Sequence, residues 1–464
     1  MASSSESLST TKIKVGIIGG GIAGLSCAAH LSNLSSNIEA TVFDTGRLRP
    51  GGRCSSRLPG DKPKNRKASQ NTPLSKFVVD HAAQILTVPS SENEEEWKYF
   101  ADQVSKWEES GILKRFPPNS VVEVRNKGKE NDKGIVTHPL NKEKRTSGMY
   151  FGVNGMGSIP AAIAAGKQFT IEQDVWISPS NGVKFIGSEE APLWSIQTNG
   201  KQFGTFDRIV IAHNGKCADR LMSRTPAKAL HSLLRTNFAD YAPSWGGKRM
   251  TLNSIYSLTF VIKRENSPIS GALGEKTYSA FLKNEPTLRF LSCQSRKYED
   301  GSTNKQNDLE CWTVLSSPKF AKKYKGPQEN LPKERIEEVT DLMIKALERS
   351  LNLRPGAICD DEIMDSRLQL WGAAVPLNTW MNKKGEDDVS TVSEMGFLYD
   401  SQYGVGVCGD WLLDPSIGGA WESGRRLSNF ITKSREDSAS VGLPPNGEFC
   451  LSKASKQTSI GNVL

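Results

Sequence analysis

Six consecutive residues near the start of the chain, Gly19-Gly20-Gly21-Ile22-Ala23-Gly24, set glycines at the first, third and sixth places of a G-x-G-x-x-G pattern. Glycines at that spacing serve phosphate chemistry. Gly19 turns the chain sharply, Gly21 lets a diphosphate approach the backbone, and Gly24 lets a following helix lie close on a strand. The first helical turn, with Ile22 and Ala23, then offers free N–H groups and a positive dipole end to the phosphates. Asp44 lies 20 residues beyond Gly24, and a carboxylate at the end of a second strand accepts hydrogen bonds from a ribose diol. Arg49-Pro50-Gly51-Gly52-Arg53 follows. Its two glycines permit another close backbone approach, and the forked cation of Arg53 suits phosphate. At the other end of the chain, Val407-Cys408-Gly409-Asp410 reads as a strand followed by Gly-Asp, and Ser416-Ile417-Gly418-Gly419-Ala420 opens a helix whose positive end stabilises negative charge.

The R-x-G-G-R element at 49–53 resembles that of FAD enzymes in the flavin amine oxidase superfamily. Asp80-His81-Ala82-Ala83-Gln84 is similar to the D-H-G-A-Q segment of renalase-like flavoproteins, and Phe151-Gly152-Val153-Asn154-Gly155-Met156-Gly157-Ser158 is similar to that family's G-V-x-G-M-x-x segment. Phe206–Ala212 looks like the superfamily's D-x-V-V-x-A strand. The resemblance runs from about residue 12 to 432 through a handful of short segments. It implies bound FAD, with Gly409 and Asp410 on its ribityl and pyrophosphate oxygens, the Gly418-Gly419-Ala420 helix start facing the flavin pyrimidine ring, and Val175, in the strand before Phe206–Ala212, against adenine. Cys408 precedes Gly-Asp rather than sitting where covalent amine oxidases attach flavin, so the FAD is expected to be non-covalent. Two departures bear on the substrate more than on the cofactor: His213-Asn214-Gly215-Lys216 replaces a proline-containing continuation, and Ala82 stands where glycine is common. A second G-x-G-x-x-G after a strand and a C-x₂₋₄-C redox pair are both missing, which excludes a disulfide-reductase type of flavoprotein.

The chemistry implied is a hydride or two-electron oxidation of a small amine or a dihydronicotinamide-like molecule, with O2 regenerating the flavin. Such a step needs the donor carbon about 3–3.5 Å from the acceptor and little acid–base help. His81 and Gln84 are candidates to line the flavin or substrate, and Trp371 to cover the flavin as an aromatic wall; each also fits ordinary packing. Trp411 and Trp421 are expected to pack around the cofactor, and Tyr256 is a further pocket candidate. Two other readings stay open. One is a desaturase, cyclase or isomerase of specialised metabolism acting on a larger apolar substrate; the other is a non-catalytic FAD-containing binding or redox-sensing protein.

These residues need elements to hold them. Ile13–Ile18 is a short apolar run ending in glycine, Leu25–Leu34 a small-residue helix, and Ala40–Asp44 a second strand, together a βαβ unit within 32 residues. Arg57–Lys76, with three prolines, reads as a polar surface insertion, and 77–80 as strand-like. Trp97, Phe100, Val104 and Trp107 step by 3, 4 and 3, the stripe of an amphipathic helix. Arg125–Ser147 reads as a lysine-rich connecting loop, typified by Asn126-Lys127-Gly128. A mixed β region spans 170–211, with hairpin turns expected at Asn181-Gly182 and Asn199-Gly200. Ile255–Lys263 is predicted as strand, Glu334–Leu351 as helix, and Tyr403–Cys408 as a last strand leading into a helix near Ile417.

The whole chain sets the remaining bounds. Its 464 residues, with 10 Trp, 17 Phe and 9 Tyr, are enough for more than one domain and too aromatic for disorder. The net charge of +8 is spread over polar loops and the tail, which argues against a nucleic-acid partner. No apolar run approaches the roughly 18 residues of a membrane span. Eight scattered cysteines and five dispersed histidines point to no metal site and to a reducing compartment. Met1–Thr11 is polar and Ser-rich, and Asn462-Val463-Leu464 is no peroxisomal address, so a cytoplasmic location is expected. The expected fold is α/β: a Rossmann-like FAD-binding lobe from 12–90, 150–225 and 395–432, and a second mixed-sheet α+β substrate lobe from 91–149 and 226–394. Residues 1–11 are expected to be disordered and 433–464 to form a mobile tail. The oligomeric state stays open.

Overall fold

The computed structural model describes residues 12–61, 72–89, 94–126, 135–139, 146–166, 168–198, 200–238, 250–265, 267–298, 308–328, 330–359, 361–381, 395–433, 440–443 and 450–453. The strand β1 (Ile13–Ile18), the helix α1 (Ile22–Leu34) and the strand β2 (Ile38–Phe43) form the βαβ unit. Val15, Ile17 and Ile18 are fully buried, as a parallel strand covered on both faces requires. Every residue of α1 from Ile22 to Ala29 is buried, because its small side chains let it sit between the sheet and the last helix, Ile417–Lys433. Ser26 Oγ donates to the Trp421 carbonyl at 2.7 Å across that seam, and a Cβ on Gly424 would overlap the Ala23 carbonyl oxygen.

Six strands make the first sheet, in the order Thr170–Glu172, β2, β1, Arg208–Ile211, Val405–Cys408, Phe397–Asp400. All pair in parallel except Phe397–Asp400 at the edge. β2 flanks β1 on one side and Arg208–Ile211 on the other, so the connections leaving the carboxyl ends of β1 and Arg208–Ile211 diverge and open a crevice there. The second sheet has eight strands, seven on its main path, among them Met250–Lys263, Leu309–Ser316 and Ser279–Lys283, and an eighth, Asp365–Pro376, paired antiparallel to Met250–Lys263. Helix Lys333–Ser350 lays Val339, Met343, Ala346 and Leu347 into the core behind it. The protein is thus an α/β Rossmann-like domain with a second, mixed, sheet-rich lobe. Among the described residues, no helix is long and apolar enough to cross a membrane.

Several expectations need correction. Arg125–Ser147 is not simply a connecting loop. Ile135–Pro139 pairs antiparallel with Val121–Asn126 at the edge of the second sheet, and Thr146–Gly152 is a strand. Asn181-Gly182 closes a turn, with the Gly182 N–H on the Ser178 carbonyl, but joins no hairpin; Val183–Phe185 pairs with Trp194–Thr198 across residues 186–193. A hairpin does link Trp194–Thr198 to Lys201–Phe206 through Gly200 at φ +80°. Helix Glu94–Glu109, assigned above to the second lobe, packs on the last helix of the first, with the Phe100 ring 5.7 Å from that of Trp421. The tail is not wholly mobile: Val441 bridges Tyr399, and Cys450–Lys453 pairs antiparallel with Asn378–Met381. Met1–Thr11, residues 62–71 of the polar insertion, Lys127-Gly128 and Asn199 lie outside the described residues.

Candidate active site

The glycine turn sits at the carboxyl end of β1, and each of its glycines meets a different demand. Gly19 adopts φ +119°, with its N–H on the Phe43 carbonyl at 2.9 Å. A Cβ on Gly24 would overlap the Gly19 carbonyl oxygen, so the helix can approach the strand only without a side chain. Gly21 has ordinary extended backbone at φ −76°, and a Cβ there would meet nothing within 4 Å. Its absent side chain leaves open space, which is what a diphosphate needs. Gly51 bridges to Gly21, donating its N–H to the Gly20 carbonyl at 2.7 Å from a left-handed φ of +138°.

The cleft above this turn offers about 760 Å³ of space, part of it open to solvent. Gly21, Ile22 and Ala23 line one side, with Gly51 and Arg53 beside them. Ala212, His213 and Asn214, which leave the end of Arg208–Ile211, line another. Gly409 and Asp410 leave the end of Val405–Cys408, and Ser416, Ile417 and Ala420 bring the start of the last helix to the rim. Ala83, Gln84 and Ile85 close the cleft from the 80–86 segment. Arg53 pairs with Asp410 at 2.9 Å and donates to the Ala374 carbonyl at 2.6 Å, so one guanidinium ties the GGR turn, the Gly-Asp turn and the second lobe together. Asn214 Nδ2 donates to the Ala373 carbonyl at 2.9 Å, while its Oδ1 is buried without a partner, an acceptor waiting for a donor.

Burial governs the titratable groups here. Asp44 is 6 % exposed, and burial raises its carboxyl above the usual range although the Gly46, Gly20 and Thr45 N–H groups pull it down. Its Oδ1 accepts from Gly20 at 3.3 Å and its Oδ2 from Gly46 at 3.0 Å, which leaves lone pairs on both oxygens. Burial lowers His213 to about 4, so the imidazole facing the cleft is neutral. Burial lifts Asp414, just before the last helix, to about 6. Cys408 is fully buried, and its thiol is pushed well up by a hydrogen bond with Cys27 and by burial, a poor nucleophile for covalent attachment.

Some predicted residues stand apart from the cleft. Val175 is not in a strand; it follows Thr170–Glu172, donates its N–H to the Asp44 carbonyl at 2.9 Å, and packs with Ile18 and Phe43. Gly418 and Gly419 are glycines for packing, the first against the Phe100 ring and the second against the Asp414 backbone. Gly52, at φ +56°, lies against Gly21 Cα. His81 and Trp371 do not line the cleft. Their rings stack at 5.6 Å with 2° between planes, and Trp371 Nε1 donates to the His81 carbonyl at 3.1 Å. Trp421 packs on Phe100 and His30, Trp411 is buried in the core below the Gly-Asp turn, and Tyr256 points into the core behind the second sheet, donating to the Tyr324 carbonyl at 2.7 Å.

Behind Gln84 lies a network that the sequence does not announce. Asp80 is fully buried; its Oδ1 accepts from Ser56 Oγ at 2.6 Å and the Met156 N–H at 2.8 Å, and its Oδ2 accepts from Lys297 Nζ at 2.8 Å and from the Tyr298 hydroxyl. Lys297 also donates to the Gln84 carbonyl at 3.1 Å, and Gln294 Nε2 to Gln84 Oε1 at 3.0 Å. Burial lowers the Lys297 ammonium, with Asp80 opposing it, and burial followed by Asp80 raises the Tyr298 phenol. Helix Gln294–Tyr298 leaves the second sheet, so this pair fastens one lobe to the wall of the other's cleft. An isolated Lys-Tyr in sequence gives no sign of it. His213 and Asn214 did carry a signal, their place just past a parallel strand.

Comparison with known proteins agrees with this architecture. Residues 17–104 match the family model of the NAD(P)-binding Rossmann-like domain. Among curated proteins, no sequence relative matches. Among solved structures, cyclohexylamine oxidase from Brevibacterium oxydans IH-35A is 12% identical, with 91% of this chain and 99% of that one covered and a TM-score of 0.51. Putrescine oxidase bound to putrescine is 11% identical over 90% and 99%, TM-score 0.51. A protein provisionally named protoporphyrinogen oxidase, from Exiguobacterium sp. 255-15, is 10% identical over 90% and 98%, TM-score 0.54. At these identities the likeness is one of fold, spanning nine-tenths of this chain.

Proposed function

We propose that the protein is an FAD-dependent oxidoreductase of renalase-like type that takes a hydride from a small amine or dihydronicotinamide-like substrate, with O2 as electron acceptor. The observation that carries this reading is convergence: residues 21–23, Gly51, Arg53, residues 212–214, Gly409, Asp410, residues 415–417 and Ala420, from both ends of the chain, line one cleft. The residues present fit the cofactor. Gly21 presents bare backbone to empty space, Asp44 keeps free lone pairs for a ribose diol, and the unpartnered Asn214 Oδ1 offers an acceptor. The amides at the start of α1 would hold the diphosphate, and the start of the last helix would turn its positive end towards the ring system. When bound, FAD supplies two-electron acceptance, and the protein's own task is then to position and to exclude water. Gln84, with its amide held by Asp80, Gln294 and Lys297, forms a rigid wall for that purpose.

The purified chain is expected to be yellow, or to take up added FAD with a rise in visible absorbance. Bleaching of that band under anaerobic conditions against a panel of amines and NAD(P)H isomers identifies the donor, and readmitting air tests O2 as acceptor. A colourless protein that gains no flavin absorbance with excess FAD would sink the reading. We place the reaction in the cytoplasm, which fractionation of cells expressing the chain would test.

A further inference from the structure

A second, smaller pocket lies apart from the cleft, between Arg57, Leu74, Val79 and His81 on one side and the second sheet on the other, with about 230 Å³ of space that includes open solvent. Its walls follow from strand register. Ser257 lies opposite Gln369, and Thr259 opposite Arg367, on neighbouring antiparallel strands, so these four residues share one face. Arg57, paired to Val79 in a short two-stranded element, closes the cavity with His81 from the other side. Among the described residues, no acidic side chain lines it. Asp365, the nearest acid along the strand, accepts from the Leu74 N–H at 3.0 Å, and Asp80 is taken up by Lys297 and Tyr298.

Three polar atoms in this lining are buried with no partner: Arg57 Nε, His81 Nδ1 and Ser257 Oγ. Ser257 is only 1 % exposed. Leaving a buried donor unsatisfied costs about 1–3 kcal/mol, and more for a charged group, so three around one space call for an occupant. Its chemistry is set by the walls: two guanidinium groups and a hydroxyl can donate, and the nearest carboxylates, Asp365 and Asp80, are each held by donors of their own. Stacking on Trp371 and the 3.4 Å contact of Nε2 with Ser55 Oγ hold the His81 ring in place. Arg367 sits exposed at the mouth, and burial alone, with no acid beside it, lowers its guanidinium. We propose that this cavity is a binding site for a small monovalent anion, from halide to formate in size, held between Arg57 and Arg367 with Ser257 and His81 completing the shell. An ion there would join the 57–81 segment to the second sheet. The proposal is independent of what fills the larger cleft.

The test uses the full-length protein in gluconate buffer at fixed ionic strength, titrated with chloride. Two quantities are read: the excess line width of the chloride-35 resonance and the thermal unfolding midpoint. Both are expected to change saturably in wild type. Arg367→Gln, at the exposed mouth, should weaken the apparent affinity at least tenfold, and Ser257→Ala at least threefold; the second variant keeps the test open should the first fold poorly. Bromide and formate should compete. Absence of excess line width in wild type, leaving water as the occupant, overturns the proposal. So does equal stabilisation by sulfate at matched ionic strength, or affinity unchanged in both variants.

Discussion

At the scale of single residues, the two glycines of one turn make opposite predictions. Gly21→Val adds a side chain where there is only empty space, on backbone that valine tolerates. The fold without cofactor should keep its stability, while FAD affinity falls at least about 100-fold, or ~2.8 kcal/mol, measured by titration of flavin fluorescence. Gly24→Ala forces a Cβ into the Gly19 carbonyl, and should lose about 3 kcal/mol of folding free energy in urea denaturation, with or without FAD. His213 supplies a pH dependence. Its folded pKa of about 4 lies below the ordinary 6.5, so the neutral ring favours the fold; that stability is full above pH 6.5 and is lost as pH falls through 4. Wild type should therefore lose about 2–3 kcal/mol across that window relative to His213→Gln, by denaturation at a series of pH values. The tasks of Gly19 and Gly24, a sharp turn and a close helix-on-strand approach, were legible because spacing alone dictates them. Those of Gly418 and Gly419 were misread, because close approach to a neighbouring ring or carbonyl and close approach to a ligand demand the same residue.

At the scale of elements, the seam between α1 and the last helix sets where the glycine turn sits. A Cβ on Gly424 would overlap the Ala23 carbonyl, so Gly424→Ala should push the helices apart, cost about 1–3 kcal/mol by thermal unfolding, and loosen FAD retention on gel filtration. The βαβ unit and the helices at 94–109 and 333–350 were readable, since apolar periodicity survives any tertiary context. Val121–Asn126 and Ile135–Pro139 were not. Ile135–Pro139 forms the sheet edge and Val121–Asn126 lies one strand in, paired also with Ser279–Lys283; Glu123 and Arg125 on its outer face alternate with buried Val122 and Val124, so composition there imitates a loop.

At the scale of the whole molecule, the two lobes meet through a buried charge pair. Lys297→Met leaves the Asp80 carboxylate buried with one fewer cation, and should lose about 3–5 kcal/mol of stability in denaturant titration. Adding Asp80→Asn should recover part of that loss, a coupling above about 1 kcal/mol in the double-mutant cycle. None of this was readable from the linear order, since Asp80 and Lys297 are far apart in the chain and each looks like an ordinary surface charge. A still greater sequence separation divides the halves of the cleft, for its floor is made by residues 21–23 and its front wall by Gly409, Asp410, residues 415–417 and Ala420. A ribosome therefore builds the cradle before the wall. If the proposed function holds, a nascent polypeptide stalled before Gly409 should emerge colourless, since the flavin can load only once that wall has been made.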